Sequence, residues 1–189
     1  MTESARSIHA SAVLVGSHAV LIRGPSGAGK SRLAFDLILA GRAGQLPSAV
    51  LIGDDRVHLD TAGEQLWVRP APELAGRIEI RGLGIRRCDF VGEAVVGLVV
   101  DLAVDDAERL PPPEALQTRL NGVLLQRIPV GAGFSPLPLV VAALTTTESS
   151  SSANPKTDCL KGIGNHISPN IATKWTGAGS PLHRQVPGE

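Results

Sequence analysis

The segment GPSGAGKS, from Gly24 to Ser31, constrains this chain more than any other, because such a loop works only between a strand and a helix. Both flanks comply. HAVLIRG ahead of it is a short apolar run of β type. KSRLAFDLILAG behind it puts Leu33, Leu37 and Ala40 at helical spacing, with Ala34 and Ile38 widening the stripe and Gly41 as a C-terminal stop. The spacing of Gly24, Gly29, Lys30 and Ser31 satisfies G-x-x-x-x-G-K-S. Such glycines let backbone N–H groups point inward at phosphate oxygens, and the helix adds its positive end. Lys30 can then reach β- and γ-phosphates and the Ser31 hydroxyl can ligate Mg²⁺. Gly24, Pro25, Ser26, Gly27, Ala28, Gly29, Lys30 and Ser31 are thus read as a nucleotide cradle.

The rest of the chain reads as an α/β protein with a mixed central sheet and flanking helices. HASAVLV and HAVLIRG form a hairpin about Gly16-Ser17, and SAVLIGDD is a buried strand ending in Asp54 and Asp55. RVHLDTAGEQLWVRP alternates around a Thr61-Ala62-Gly63 turn, and RIEIRGLGIRR begins as a strand and breaks into a glycine-punctuated loop. Val95 to Val104 reads as a central strand, PPPEALQTRL as a helix opened by its prolines, and 137–144 as a closing helix or strand. These elements place one domain over 1–144. From 145 to 189 the chain is polar and rich in Gly, Pro, Ser and Asn, which predicts a disordered tail.

Composition narrows the function classes. Lys plus Arg and Asp plus Glu number 18 each, so no net field draws the molecule to nucleic acid or an anionic membrane. The strongest apolar run, VVGLVVDLAV, is cut by Asp101 and is about half the length of a membrane helix. The N-terminus lacks the layout of a secretory signal, and Cys88 and Cys159 lack metal or redox spacing. A cytoplasmic protein with unpaired thiols, no nucleic-acid partner and no membrane partner is the expectation.

The acids decide what the cradle is for. Asp54 and Asp55 are adjacent on a strand end, so they face opposite ways and suit different tasks, one at metal-bound water and one accepting a proton, unless they merely cap a turn. Glu79 points away from Ile78 and Ile80 and shares a face with Arg81. The two are either a same-face ion pair or a metal-ligating carboxylate beside a phosphate-binding arginine. His9 by itself carries a weak signal.

In this order, IHA with His9, GPSGAGKS, GDDRV and IEIRGLGI, the motifs resemble the catalytic domain of bacterial HPr kinase/phosphorylase, over roughly residues 7–144. The resemblance implies a P-loop kinase fold related to phosphoenolpyruvate carboxykinase, with ATP and Mg²⁺ as cofactors. It implies an HPr-type phosphocarrier protein as the seryl acceptor, and a homo-oligomer, typically a hexamer. Lys30 and Ser31 would hold the triphosphate and metal, Glu79 would be a second metal contact, and Asp54 is placed with them. Asp55 would be the proton acceptor, with His9, Arg81 and Arg109 as catalytic-site residues.

Three departures qualify the resemblance. The chain begins directly at the kinase domain, like the short members of the family; Pro25 and Arg32 stand where long members carry acids; and IPVGAGFSPLP has lost the arginines of a loop linked to dephosphorylation. Kinase activity is therefore expected to exceed any phosphorylase activity. The alternatives are a small-molecule kinase on the same scaffold and a nucleotide-sensing module without turnover.

Overall fold

Strands with branched aliphatic residues on both faces can only sit inside a sheet covered on both sides, and that is where the first apolar runs lie. In a computed structural model that describes residues 7–147, β1 (Ser7–Ile8) leads into a hairpin of β2 (Ser11–Val15) and β3 (His18–Arg23). Gly16 turns this hairpin at φ 60°. The glycine loop follows, and then α1 (Lys30–Arg42). β4 (Ala49–Gly53) pairs antiparallel with β2, and β5 (Val57–Ala62) with β6 (Gln65–Pro70). β7 (Arg77–Ile80) and β8 (Gly84–Arg87) form a separate two-stranded sheet. β9 (Ala94–Leu102), β10 (Gln117–Leu120), β11 (Val123–Val130) and α2 (Pro136–Thr145) complete the described chain.

β9 organises the nine-stranded sheet. β3 runs parallel along one edge, while β6 pairs antiparallel at Ala94 and Val95 and β11 pairs in parallel from Leu98 to Leu102. Three parallel strands therefore end together beside the glycine loop. Side chains alternate between two cores. Val13, Val15, Val20 and Ile22 pack with Leu33, Leu37 and Val140 on the helical side. Ala12, Leu14 and Leu21 pack with Ile52, Leu66, Val68 and Val99 where the sheet curls over.

Two expectations change. PPPEALQTRL is not a helix beyond one 3-10 turn at Pro113–Leu116; from Gln117 it is strand β10. Asn121 and Gly122 sit at φ 48° and 84°, the paired left-handed conformation of a tight hairpin turn, and the β10 ladder with β11 outweighs the helical opening. RIEIRGLGIRR returns as β8 after its glycine turn, with Gly82 and Gly84 at φ 88° and 75°. The ambiguous run at 137–144 is α2. The tail expected to be disordered lies, from residue 148, outside the described residues, as does Cys159. Cys88 is half-buried, and burial pushes its thiol pKa up, which keeps it protonated. Among the described residues no helix is long and apolar enough to cross a membrane.

Candidate active site

The loop's shape follows from its glycines. Gly24 lies at φ 146°, and a Cβ there would stand 2.8 Å from the Leu102 carbonyl oxygen, so only glycine lets the chain leave β3 this close to β9. Gly27 and Gly29, at φ 80° and 95°, turn it into α1. Lys30 is buried, and its Nζ donates to the carbonyls of Gly24 and Pro25, both at 3.0 Å. The lysine thus braces the loop that it ends. Burial lowers its pKa, and the charges of Asp54 and then Asp55 act against that shift.

A cleft of about 770 Å³ opens over this loop. Ser26, Gly27, Gly29, Lys30 and Ser31 line one side, and Arg32, Phe35, Asp36 and Leu39 of α1 extend it. Glu79, Ile80 and Arg81 form a second wall from the β7–β8 hairpin, and His9 with Asp55 a third. Of the loop residues, Gly24, Pro25 and Ala28 shape the cradle without lining the cleft: Pro25 through its carbonyl, and Ala28 by packing against the helical core.

The two aspartates do part company, through a turn rather than through strand alternation. Asp55 has φ 68°, a conformation that costs a non-glycine residue about 1–2 kcal/mol, and its side chain is 61% exposed toward the cleft. His9 Nε2 stands 3.3 Å from Asp55 Oδ1. Asp54 turns inward and is 3% exposed. Its Oδ1 accepts from the Ser11 hydroxyl at 2.5 Å and its Oδ2 from the Glu79 N–H at 3.0 Å. Asp54 therefore stands behind the cleft wall and does not line the cleft, unlike Ser31 and Glu79. The Glu79 side chain is exposed in the cleft, as is that of Arg81.

Arg109 is brought to none of these groups. It lies exposed in the loop after β9 and does not line the cleft. Ser11 and the wall of Phe35, Asp36 and Leu39 were missed by sequence reasoning. A hydroxyl inside the apolar run HASAVLV was the available signal for Ser11, since a buried hydroxyl needs a partner. A second cluster, also missed, anchors the base of the loop. Arg23 donates twice to Asp101, at 2.7 Å each, and Arg127 donates to Asp101 at 2.6 Å and to Asp106.

No group of three or more His, Cys, Asp or Glu side chains gathers as a metal cage among the described residues. Mg²⁺ does not require one, since it is commonly held by one or two protein oxygens together with phosphates and water. The Ser31 hydroxyl and the Glu79 carboxylate, hard oxygen donors on two walls of one cleft, fit that chemistry.

A glycine loop feeding a helix N-terminus at the ends of parallel strands, within a mixed sheet with few helices, defines a P-loop domain of the type related to phosphoenolpyruvate carboxykinase. The model of the HPr serine kinase C-terminal domain matches residues 2–104, and the chain belongs to that family. It is 33% identical over 153 residues to an HPr kinase/phosphorylase of Mycoplasma mycoides, covering 72% of this chain and 46% of that protein. It is 36% identical over 140 residues to one of Neisseria meningitidis, covering 66% of this chain and 42% of that protein. The chain thus spans less than half the length of these relatives. Its fold is similar to the HPr(Ser) kinase/phosphatase structure from Coxiella burnetii, with a TM-score of 0.57 and 22% identity, over 72% of this chain and 87% of the other.

Proposed function

We propose that this domain is an ATP-dependent protein serine kinase whose acceptor is a seryl residue of an HPr-type phosphocarrier protein. The observation that carries the reading is the apposition of Asp55, 3.3 Å from His9, with Lys30, Ser31, Glu79 and Arg81 around one cleft. A cradle alone would suit a sensor; an exposed carboxylate opposite it suits a reaction that must remove a proton.

In this mechanism the acceptor seryl oxygen attacks the γ-phosphorus in line while its proton passes to an Asp55 carboxylate oxygen. The bond from the γ-phosphorus to the β–γ bridging oxygen breaks, and ADP departs carrying that electron pair. Lys30 and Arg81 offset charge on the transferring group. His9 holds the Asp55 carboxylate toward the acceptor side. Ser31 and Glu79 would hold Mg²⁺, which when bound supplies charge neutralisation across the β- and γ-phosphates.

The stretch IPVGAGFSPLP at 128–138, which joins β11 to α2, contains no arginine, which supports a kinase that runs poorly in reverse. The test is phosphorylation of HPr with labelled ATP by the wild type and Asp55→Ala, with mass-spectrometric location of the phosphate. A seryl phosphate that disappears with Asp55→Ala is expected. An unlabelled HPr beside a labelled small molecule would favour the small-molecule kinase, and unchanged biological output with Asp55→Ala would favour a sensor. Release of phosphate from seryl-phosphorylated HPr, driven by inorganic phosphate at a rate matching the forward reaction, would overturn the weak reverse activity.

A further inference from the structure

We propose that Ser11 and Asp54 are a positioning pair that sets both the Glu79 metal contact and the Asp55 base, and that Asp54 itself ligates nothing. This rests on the reading of Glu79 and Asp55 given above. The β7–β8 hairpin that carries Glu79 shares no strand pairing with the nine-stranded sheet, so its distance from the glycine loop must be set by other contacts. One is apolar, through buried Ile78 in the helical core. Another is polar and lies at the functional residue: the main-chain N–H of Glu79 donates to Asp54 Oδ2 at 3.0 Å.

Asp54 can play this part because its other oxygen is tied to the sheet. Ser11 is fully buried at the start of β2, two residues after His9, and its hydroxyl donates to Asp54 Oδ1 at 2.5 Å. The Asp54 carbonyl also accepts from the Arg56 N–H at 2.8 Å, closing the turn in which Asp55 adopts φ 68°. One buried residue thus joins these parts: its carboxylate links the strand after His9 to the backbone of Glu79, and its main-chain carbonyl closes the turn of Asp55. Both carboxylate oxygens are engaged, and Asp54 lies outside the cleft lining. Groups behind a metal contact commonly change metal affinity or activity by about 10- to 100-fold when removed.

The amide isostere separates positioning from ligation. In Asp54→Asn the side-chain oxygen still accepts from Glu79 N–H and the amide still donates to Ser11 Oγ, so geometry is kept while charge is lost. The full chain is assayed in two ways: HPr phosphorylation, and the Mg²⁺ dependence of binding a fluorescent ATP analogue, with thermal unfolding as a check on folding. Ser11→Ala and Asp54→Ala are expected to raise the half-saturating Mg²⁺ concentration and to lower kcat, each by about 10-fold or more. Asp54→Asn is expected to recover most of both losses. Asp54→Asn as damaging as Asp54→Ala would overturn the proposal, because the charge itself would then be acting. Alanine variants that lower the melting temperature but leave the Mg²⁺ dependence unchanged would also overturn it, as would wild-type nucleotide binding indifferent to Mg²⁺. A wild type that binds Mg²⁺-nucleotide but leaves HPr unmodified would sink the acceptor assignment alone, since the Mg²⁺ titration needs no acceptor.

Discussion

Asp55 and Lys30 line one cleft in opposite surroundings, the carboxylate exposed and the lysine buried. Asp55 is exposed in the cleft, and as the proposed proton acceptor its replacement in Asp55→Asn is expected to lower kcat by about 100-fold or more while nucleotide affinity stays within a few-fold. Steady-state kinetics together with direct nucleotide binding checks this split; a comparable loss of affinity would make Asp55 a phosphate-site residue instead. At Gly24 the constraint is steric. Gly24→Ala would push a methyl group against the Leu102 carbonyl oxygen at 2.8 Å while forcing φ 146° on a side-chain-bearing residue. Loss of nucleotide binding is the expected outcome, read by titration with the fluorescent analogue. Wild-type affinity in this variant would show that the loop moves away from β9 at little cost. The pattern was legible for Gly24 and Lys30 because a P-loop's chemistry is local in sequence, whereas the choice of Asp55 as the base came only with the family resemblance. Ser11 and Asp54 were not legible as a pair, since the bond between them spans 43 positions and neither residue type announces its partner.

At the scale of elements, what could be read was what periodicity and turn residues encode over a few positions. The β2–β3 and β5–β6 hairpins and α1 follow from alternation, Gly16 and the helical stripe. β10 did not, because three prolines at 111–113 look like a helix start, and the stronger Asn121-Gly122 signal lies eight residues further on. Two successive left-handed residues make that turn fit the twist of the strands. Gly122→Ala, at φ 84° with open space around its Cβ position, is therefore a pure test of backbone conformation. It should cost about 1–2 kcal/mol without touching the cleft. Urea unfolding would show a lowered midpoint at unchanged slope, and nucleotide affinity should not move. An unchanged midpoint would mean that the hairpin contributes little to global stability.

At the scale of the molecule, the three parallel strands beside the glycine loop are held at their ends by a charge cluster as well as by buried Ile22, Leu102 and Val130. Asp101 interrupts the apolar run of β9, which from sequence reads only as an obstacle to membrane insertion. In the fold it is buried and accepts from Arg23 at the end of β3 and from Arg127 on β11. Burial works to raise the Asp101 pKa, but the hydrogen bonds from Arg23 and then Arg127 outweigh it, and the pKa lies below its ordinary value. A carboxyl whose pKa falls on folding contributes stability that is fully present above its unfolded pKa, near 4. That contribution is lost as the pH drops through the lower folded value. Wild type should thus lose stability below about pH 4, in part through this cluster. Asp101→Asn should be less stable at pH 7, where it leaves Arg23 and Arg127 without their carboxylate, and its gap from wild type should narrow as the pH falls toward 2. Denaturant unfolding of both proteins across that range measures the gap directly. A gap constant from pH 7 to pH 2 would mean that Asp101 holds these strands by packing and shape, and that the charges at the root of the loop do not set its footing.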